Sequence, residues 1–192
     1  MAAGDSDVSI CNMALIHLGE DAIVSRSPPD NTKRAGLCYL LYDPARRAAL
    51  RSHPWRCART RAALPALTAA PAFGYEAAYQ KPSDYLRALD LPDDDMPRWE
   101  VEGDTILSDQ GPPLNIVYIR DLTDVTRMDS LLVEVIALEL AISMCVSLTQ
   151  STERKTELKQ ELADKLGAAR SVSAQEASPQ EWDDDILLRS RA

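Results

Sequence analysis

Apolar side chains recur every three to four residues from Ser6 to Leu18, where "SDVSICNMALIHL" puts Val8, Cys11, Ala14, Leu15 and Leu18 on one side. That spacing predicts an amphipathic helix over about 6–18, with Ser6 or Asp5 as its N-cap and Gly19 as its stop. "SRSPPDN" has the composition of a loop, after which Asn31 or Asp30 can cap a second helix over about 31–52. Ala35, Cys38, Leu41 and Tyr42 line its apolar side, while Arg46, Arg47 and Arg51 share its polar flank. Pro44 interrupts this helix, either as a kink or as the first turn of a restart capped by Asp43. Pro54 pushes His53 out of the helical region, so the helix ends near Ser52 and the chain turns. Trp55 follows that turn with a large ring to bury against the helices.

The periodicity changes after a Pro- and Ala-rich connection, "LPALTAAPAFGYEAAY". "YLRALDL", "RWEVE", "TILS" and "LNIVYI" are short alternating or β-branched runs, separated by the turn signals "PDDDMP", "EGD" and "DQGPP". They predict a small antiparallel meander over about 85–119, with a tight hairpin at Gly103 and Asp104. "MDSLLVEVIALELAISMCVSLTQS" is then apolar nearly all round, which places a helix over about 129–149, capped by Asp129, at the centre of the molecule. The connection after it is short, so a helix over about 152–176 returns antiparallel with Leu158, Leu162, Leu166 and Ala169 towards its partner. Pro179 ends helical structure and leaves a terminal arm over 178–192. The fold class expected from the whole pattern is mainly α: one antiparallel helical bundle over 1–177 with a small inserted β-meander and an extended arm.

Composition agrees with that picture. The 192 residues hold 45% hydrophobic side chains, a single Phe and seven Gly, and they are rich in Ala and Leu. The net charge is −9, yet nine basic residues against two acids fall between Arg26 and Arg61. One basic face on an acidic body is expected, as a solvated flank, a subunit-interface or partner surface, or a grip on phosphate. Arg46, Arg47, Arg51, Arg56, Arg59 and Arg61 are its members, all of them read as lying on helices. Cys11, Cys38, Cys57 and Cys145 are scattered with no CxxC pair, as expected of reduced, buried thiols. The N-terminus has no secretory pattern. Glu134 and Glu139 make the long apolar stretch a core helix rather than a membrane span.

Catalytic patterns are sparse. His53 and Cys57 stand four apart, but Pro54 breaks the helix that would align them and no second ligand pair has zinc spacing. No phosphate-cradling loop, GxSxG elbow, HExxH or EF-hand loop occurs, so no catalytic residue, cofactor or metal is expected. Tyr39, Tyr42 and Trp55 among the arginines suggest stacking on nucleic acid, against which stands their core-facing helical spacing. In the arm, Trp182, Ile186, Leu187 and Leu188 are large apolar residues that a short segment cannot bury alone, as in a docking peptide or a solvated tail.

Several pieces occur in one order: "ICNMALIHLGEDAI", "AGLCYLLYDPARRAALRSHPWRCARTRAAL", "AYQKPSDYLR", "VEGDTILSD" and "YIRDLTDVTRMDSLLVEVIALELA". Together they resemble the tail tubular protein A family, the head-to-tail adaptors of tailed bacteriophages. The resemblance implies a structural virion protein and not an enzyme. It would form a homo-oligomeric ring, commonly of twelve subunits, between the portal protein and the tail or nozzle protein. Viral DNA would pass through its channel without sequence-specific binding, and no membrane is involved. Its place would be the head–tail junction of the virion, and the host cytoplasm during assembly. Tyr42, Arg46 and Leu50 match the family's helix leading into its HPW corner, His53, Pro54 and Trp55 the corner itself, and Pro82, Asp84 and Arg87 the motif before the sheet. Cys57 stands where the family commonly has an aromatic residue. The rival reading is a nucleic-acid-binding protein using the Arg46–Arg61 region, whose affinity would fall steeply with salt.

Overall fold

The structure, a computed structural model, describes residues 6–89 and 98–175. Four helices, α1 (Asp7–His17), α2 (Lys33–Ser52), α3 (Ser130–Thr149) and α4 (Thr152–Gln175), flank six strands in the middle of the chain. The strands are β1 (Arg59–Leu64), β2 (Ala77–Gln80), β3 (Tyr85–Ala88), β4 (Trp99–Glu102), β5 (Thr105–Ser108) and β6 (Leu114–Arg120).

The helix ends follow local chemistry. Ser6 and Ser9 form a reciprocal capping box at the start of α1. Gly19, at φ +73°, supplies the left-handed residue just beyond its end. Thr32 caps α2, in place of the expected Asp30 or Asn31, by accepting from the Ala35 N–H. Asp30 is occupied elsewhere, accepting from the Val24 N–H and the Thr32 hydroxyl. Asp129 caps α3 as expected, through the Leu131 N–H at 2.8 Å. α2 runs without a break through Pro44.

α3 packs on α1, α2 and α4 at once, which is why it is apolar over most of its circumference. By length and composition it is apolar enough to cross a bilayer, but here it is mostly buried as the core helix. Leu132, Val135, Ile136, Leu140 and Met144 meet Ile10 and Leu15 of α1 and Cys38, Ala49 and Leu50 of α2 in one core. Each fully buried Leu or Ile there contributes about 1.5–3 kcal/mol. Gln150 takes the left-handed conformation at the end of α3, and α4 returns with Leu158 and Ala169 buried and Leu162 and Leu166 half-buried against that core.

The strands overturn the mainly-α expectation. The molecule is α+β, with two three-stranded antiparallel sheets, ordered β1–β6–β3 and β2–β5–β4. Strands begin at Arg59, well before the expected 85–119 insertion, and they do not form a meander, because β6 pairs with β1 and β3 while β5 pairs with β2 and β4. The signal missed was in "RTRAAL" and "AAYQ". Their Ala and Arg favour helices in isolation, but the register Arg59↔Ile119 to Leu64↔Leu114 places the first beside the β-branched β6, and Ala77↔Ser108 to Gln80↔Thr105 places the second beside β5. Neighbouring strands decide such a segment more than its own propensity does. Leu64, Tyr79, Ile106, Leu114, Ile116 and Tyr118 then form a second core. The hairpin at Gly103 and Asp104 is present, with Gly103 at φ +52° joining β4 to β5. The "PDDDMP" turn lies outside the described residues, as does the arm over 178–192.

Candidate functional site

The HPW corner is built from below by α2. His53 ends that helix in an extended conformation, φ −145°, as the following proline requires. Trp55 turns back onto the helix and donates its indole N–H to the Ala49 carbonyl at 2.9 Å, leaving the ring 3% exposed. The His53 ring meets it edge-on, with centroids 4.8 Å apart, and its Nε2 lies 2.9 Å from the Ser173 hydroxyl near the end of α4. Burial lowers the His53 pKa, with Arg170 and Arg87 adding to the effect, and so favours the neutral ring. Pro54 faces solvent. The corner thus ties α2 to the far end of α4.

His53 and Cys57 do not form a working pair. The histidine's ring nitrogen is engaged with Ser173, while Cys57 lines a cavity of about 60 Å³ together with Trp55, Asp129, Leu131, Val172 and Ser173, and His53 does not line it. Burial pushes the Cys57 thiol up, away from the reactive thiolate. Among the described residues, no three His, Cys, Asp or Glu side chains are grouped to hold a metal ion.

The other matched residues also join elements. Leu50 is fully buried in the core, and Tyr42 is buried with the Arg26 guanidinium 4.6 Å above its ring. Asp84 accepts from the Tyr118 hydroxyl at 2.9 Å, and its carbonyl accepts from the Asp121 N–H. The Pro82 carbonyl accepts from the Tyr85 N–H as β3 begins. Arg87, half-buried on β3, pairs in register with Ile119.

The expected basic face is not one surface. Arg46 is not on an exposed flank: it is 2% exposed, ion-paired with Asp121, and donates to the Leu122 carbonyl at 2.9 Å. Its partner stands 75 residues away in the sequence, with no local signal to point to it. Arg47 shares the same carboxylate at 3.0 Å, and Arg51 donates to the Leu86 carbonyl of β3. These three brace α2 against the sheet. Nor do the basic residues all lie on helices, since Arg59 and Arg61 are on β1.

What remains is a smaller basic surface. Arg56, Arg59, Thr60 and Arg61 line an open groove of about 450 Å³. Arg59 and Arg61 are two apart on a strand, so both point to its exposed side. β1 is also an edge strand of its sheet, so its outer backbone groups have no neighbouring strand. Trp182, Ile186, Leu187 and Leu188 lie outside the described residues.

Exposed apolar side chains are spread over the surface, with Val24 before α2, Val101 on β4, Val146 on α3 and Val172 on α4 among them. Ile16 on α1 and Tyr39 and Leu40 on α2 belong to the helical layer, whereas Leu67 and Phe73 belong to the loop between β1 and β2. Phe73, the one phenylalanine of the chain, is 88% exposed. Compared with models of known protein families and with curated proteins, the chain matches none of them.

Proposed function

We propose that the chain is a structural virion protein of the tail tubular protein A kind, a head-to-tail adaptor that assembles into a ring between portal and tail and continues the DNA channel. The observation that carries the reading is that exposed apolar residues stand both on the helices, as Ile16, Tyr39 and Leu40 do, and away from them on the β1–β2 loop, as Leu67 and Phe73 do. A ring is closed by heterologous contacts, in which one face of a subunit meets a different face of the next. Apolar residues at both places provide such faces. The tie from α2 to α4 through His53 and Ser173, and the brace from α2 to the sheet through Arg51, suit a subunit that must keep its shape under assembly load. The acidic body suits a channel through which DNA slides, because a lumen without cationic grips does not hold phosphate.

The test is to mix the purified chain with the portal protein from the same genome and image the product by electron microscopy. A ring of this chain stacked on the portal supports the adaptor reading. Absence of any ring or portal complex across a range of salt concentrations overturns it. The groove lined by Arg56, Arg59 and Arg61 favours a second reading, nucleic-acid binding. Fluorescence anisotropy with duplex DNA decides that one: it requires an affinity that falls steeply with salt and is lost in Arg59→Glu with Arg61→Glu.

A further inference from the structure

We propose that the groove lined by Arg56, Arg59 and Arg61 is the docking site for the chain's own acidic run, Glu181 to Asp185, held there within one molecule. The proposal does not rest on the adaptor reading.

Three observations lead to it. The first is where α4 ends. The Arg56 guanidinium donates to the Ser173 carbonyl at 3.0 Å, so the last turn of α4 finishes against the first arginine of the groove. Gln175, the last described residue, stands two positions beyond that contact.

The second is reach. Glu181 and Asp185 stand six and ten residues beyond Gln175, a span of at most roughly 20–35 Å for extended chain. Arg61 is five residues past Arg56, at most about 17 Å away, since residues 56–58 form a short 3-10 turn before the strand begins. The run reaches Arg59 and Arg61 with slack remaining.

The third is charge. "EWDDD" carries four carboxylates in five residues. Several arginines elsewhere have acidic partners: Arg26 has Asp7, Arg34 has Asp21, Arg98 has Asp109 and Arg154 has Glu157. Among the described residues, no acid pairs with Arg59 or Arg61, although both project from one side of an edge strand. Two adjacent guanidinium groups repel each other, and a carboxylate run placed across them relieves that repulsion with charge-assisted hydrogen bonds. Tethering to α4 makes the contact intramolecular, so even weak pairs are occupied at a high effective concentration. The next residues, Ile186 to Leu188, are then held beside the chain's own body, and a partner that takes them must first displace the acidic run.

The experiment uses the full chain, labelled with nitrogen-15, and follows the backbone amides of residues 181–188 at low salt. A peptide of residues 179–192 serves as the undocked reference. In the wild type these amides are expected to differ from the peptide. In Arg59→Glu with Arg61→Glu they are expected to move to the peptide positions, and adding Asp183→Lys, Asp184→Lys and Asp185→Lys to that variant is expected to restore the displacement. Raising the salt to 0.5 M, where screening extends over only about 4 Å, is expected to release the run. Circular dichroism confirms that each variant is folded. Amides that match the peptide in the wild type overturn the proposal, as does a displacement indifferent to the charge reversal. A displacement that disappears on dilution assigns the contact to two copies of the chain and overturns the intramolecular form.

Discussion

Arg46 and Asp121 form an ion pair between the middle of α2 and the segment that follows β6, with Arg46 2% exposed and Asp121 also holding Arg47. The pair joins the helical layer to the sheet at a point where both could otherwise slide. Its guanidinium is further satisfied by the Leu122 carbonyl and by Asp43 at 3.3 Å. Removing one member of a buried pair leaves the other charge without compensation. Asp121→Ala is therefore expected to lower unfolding free energy by about 3 kcal/mol, and Arg47→Ala, at an exposed site on the same carboxylate, by less than about 1 kcal/mol. Urea denaturation of the two variants measures the difference, and equal losses would show that Arg46 does not depend on this partner.

The corner responds to pH in a defined direction. Burial first, then Arg170 and Arg87, holds the His53 pKa below its ordinary value near 6.5, and Ser173 and Trp55 complete its surroundings. Below about pH 6.5 the unfolded chain binds a proton that the folded chain resists, so stability falls as pH drops from there towards the folded pKa. Above pH 6.5 the group contributes no slope. Urea midpoints at pH 7.5, 6.5 and 5.5 are expected to decline in the wild type and to decline less in His53→Gln. An unchanged slope in the variant would assign the acid sensitivity to other groups.

Trp55 has both a packing and a hydrogen-bonding role, which two substitutions separate. Trp55→Ala empties a site only 3% exposed and is expected to cost about 3–5 kcal/mol. Trp55→Phe keeps much of the ring but removes one of two side-chain donors to the Ala49 carbonyl, the Ser52 hydroxyl remaining at 2.8 Å, for an expected loss of about 1 kcal/mol. Thermal denaturation ranks the two. A Phe variant as damaged as the Ala variant would mean that the corner depends on the full indole shape.

Phe73 tests assembly apart from folding. Its side chain is 88% exposed, so Phe73→Ser is expected to change stability by no more than about 0.5 kcal/mol. On the adaptor proposal the same substitution removes an anchor of the ring contact. Electron microscopy of the variant mixed with portal protein is then expected to show far fewer rings than the wild type, at an unchanged melting temperature. Rings formed at the wild-type yield would remove Phe73 from the interface.

Local patterns were readable in the chain because their causes lie within a few residues. Ser6, Gly19 and Asp129 mark helix ends through their own side chains and backbone freedom. Pro54 dictates the end of α2 sterically, and the largely apolar character of α3 announces a helix packed against several neighbours. The corner at His53 and Trp55 was legible for the same reason, and the expectation that it packs rather than reacts rested on the break that Pro54 makes.

Tertiary structure alone decided the rest. Arg46 looks like any charged residue on a helical flank until Asp121, 75 residues later, is folded against it, and nothing near either residue encodes the meeting. Ser173 is equally silent about His53, 120 positions away. The sheets show the same limit most plainly. "RTRAAL" has helical propensity, and only β6 beside it makes it a strand, because strand pairing is a property of two segments while a sequence window contains one. Helix content followed from short-range periodicity and caps; sheet content, and the reduction of the basic stretch to the groove lined by Arg56, Arg59 and Arg61, followed from contacts that form only when distant segments meet.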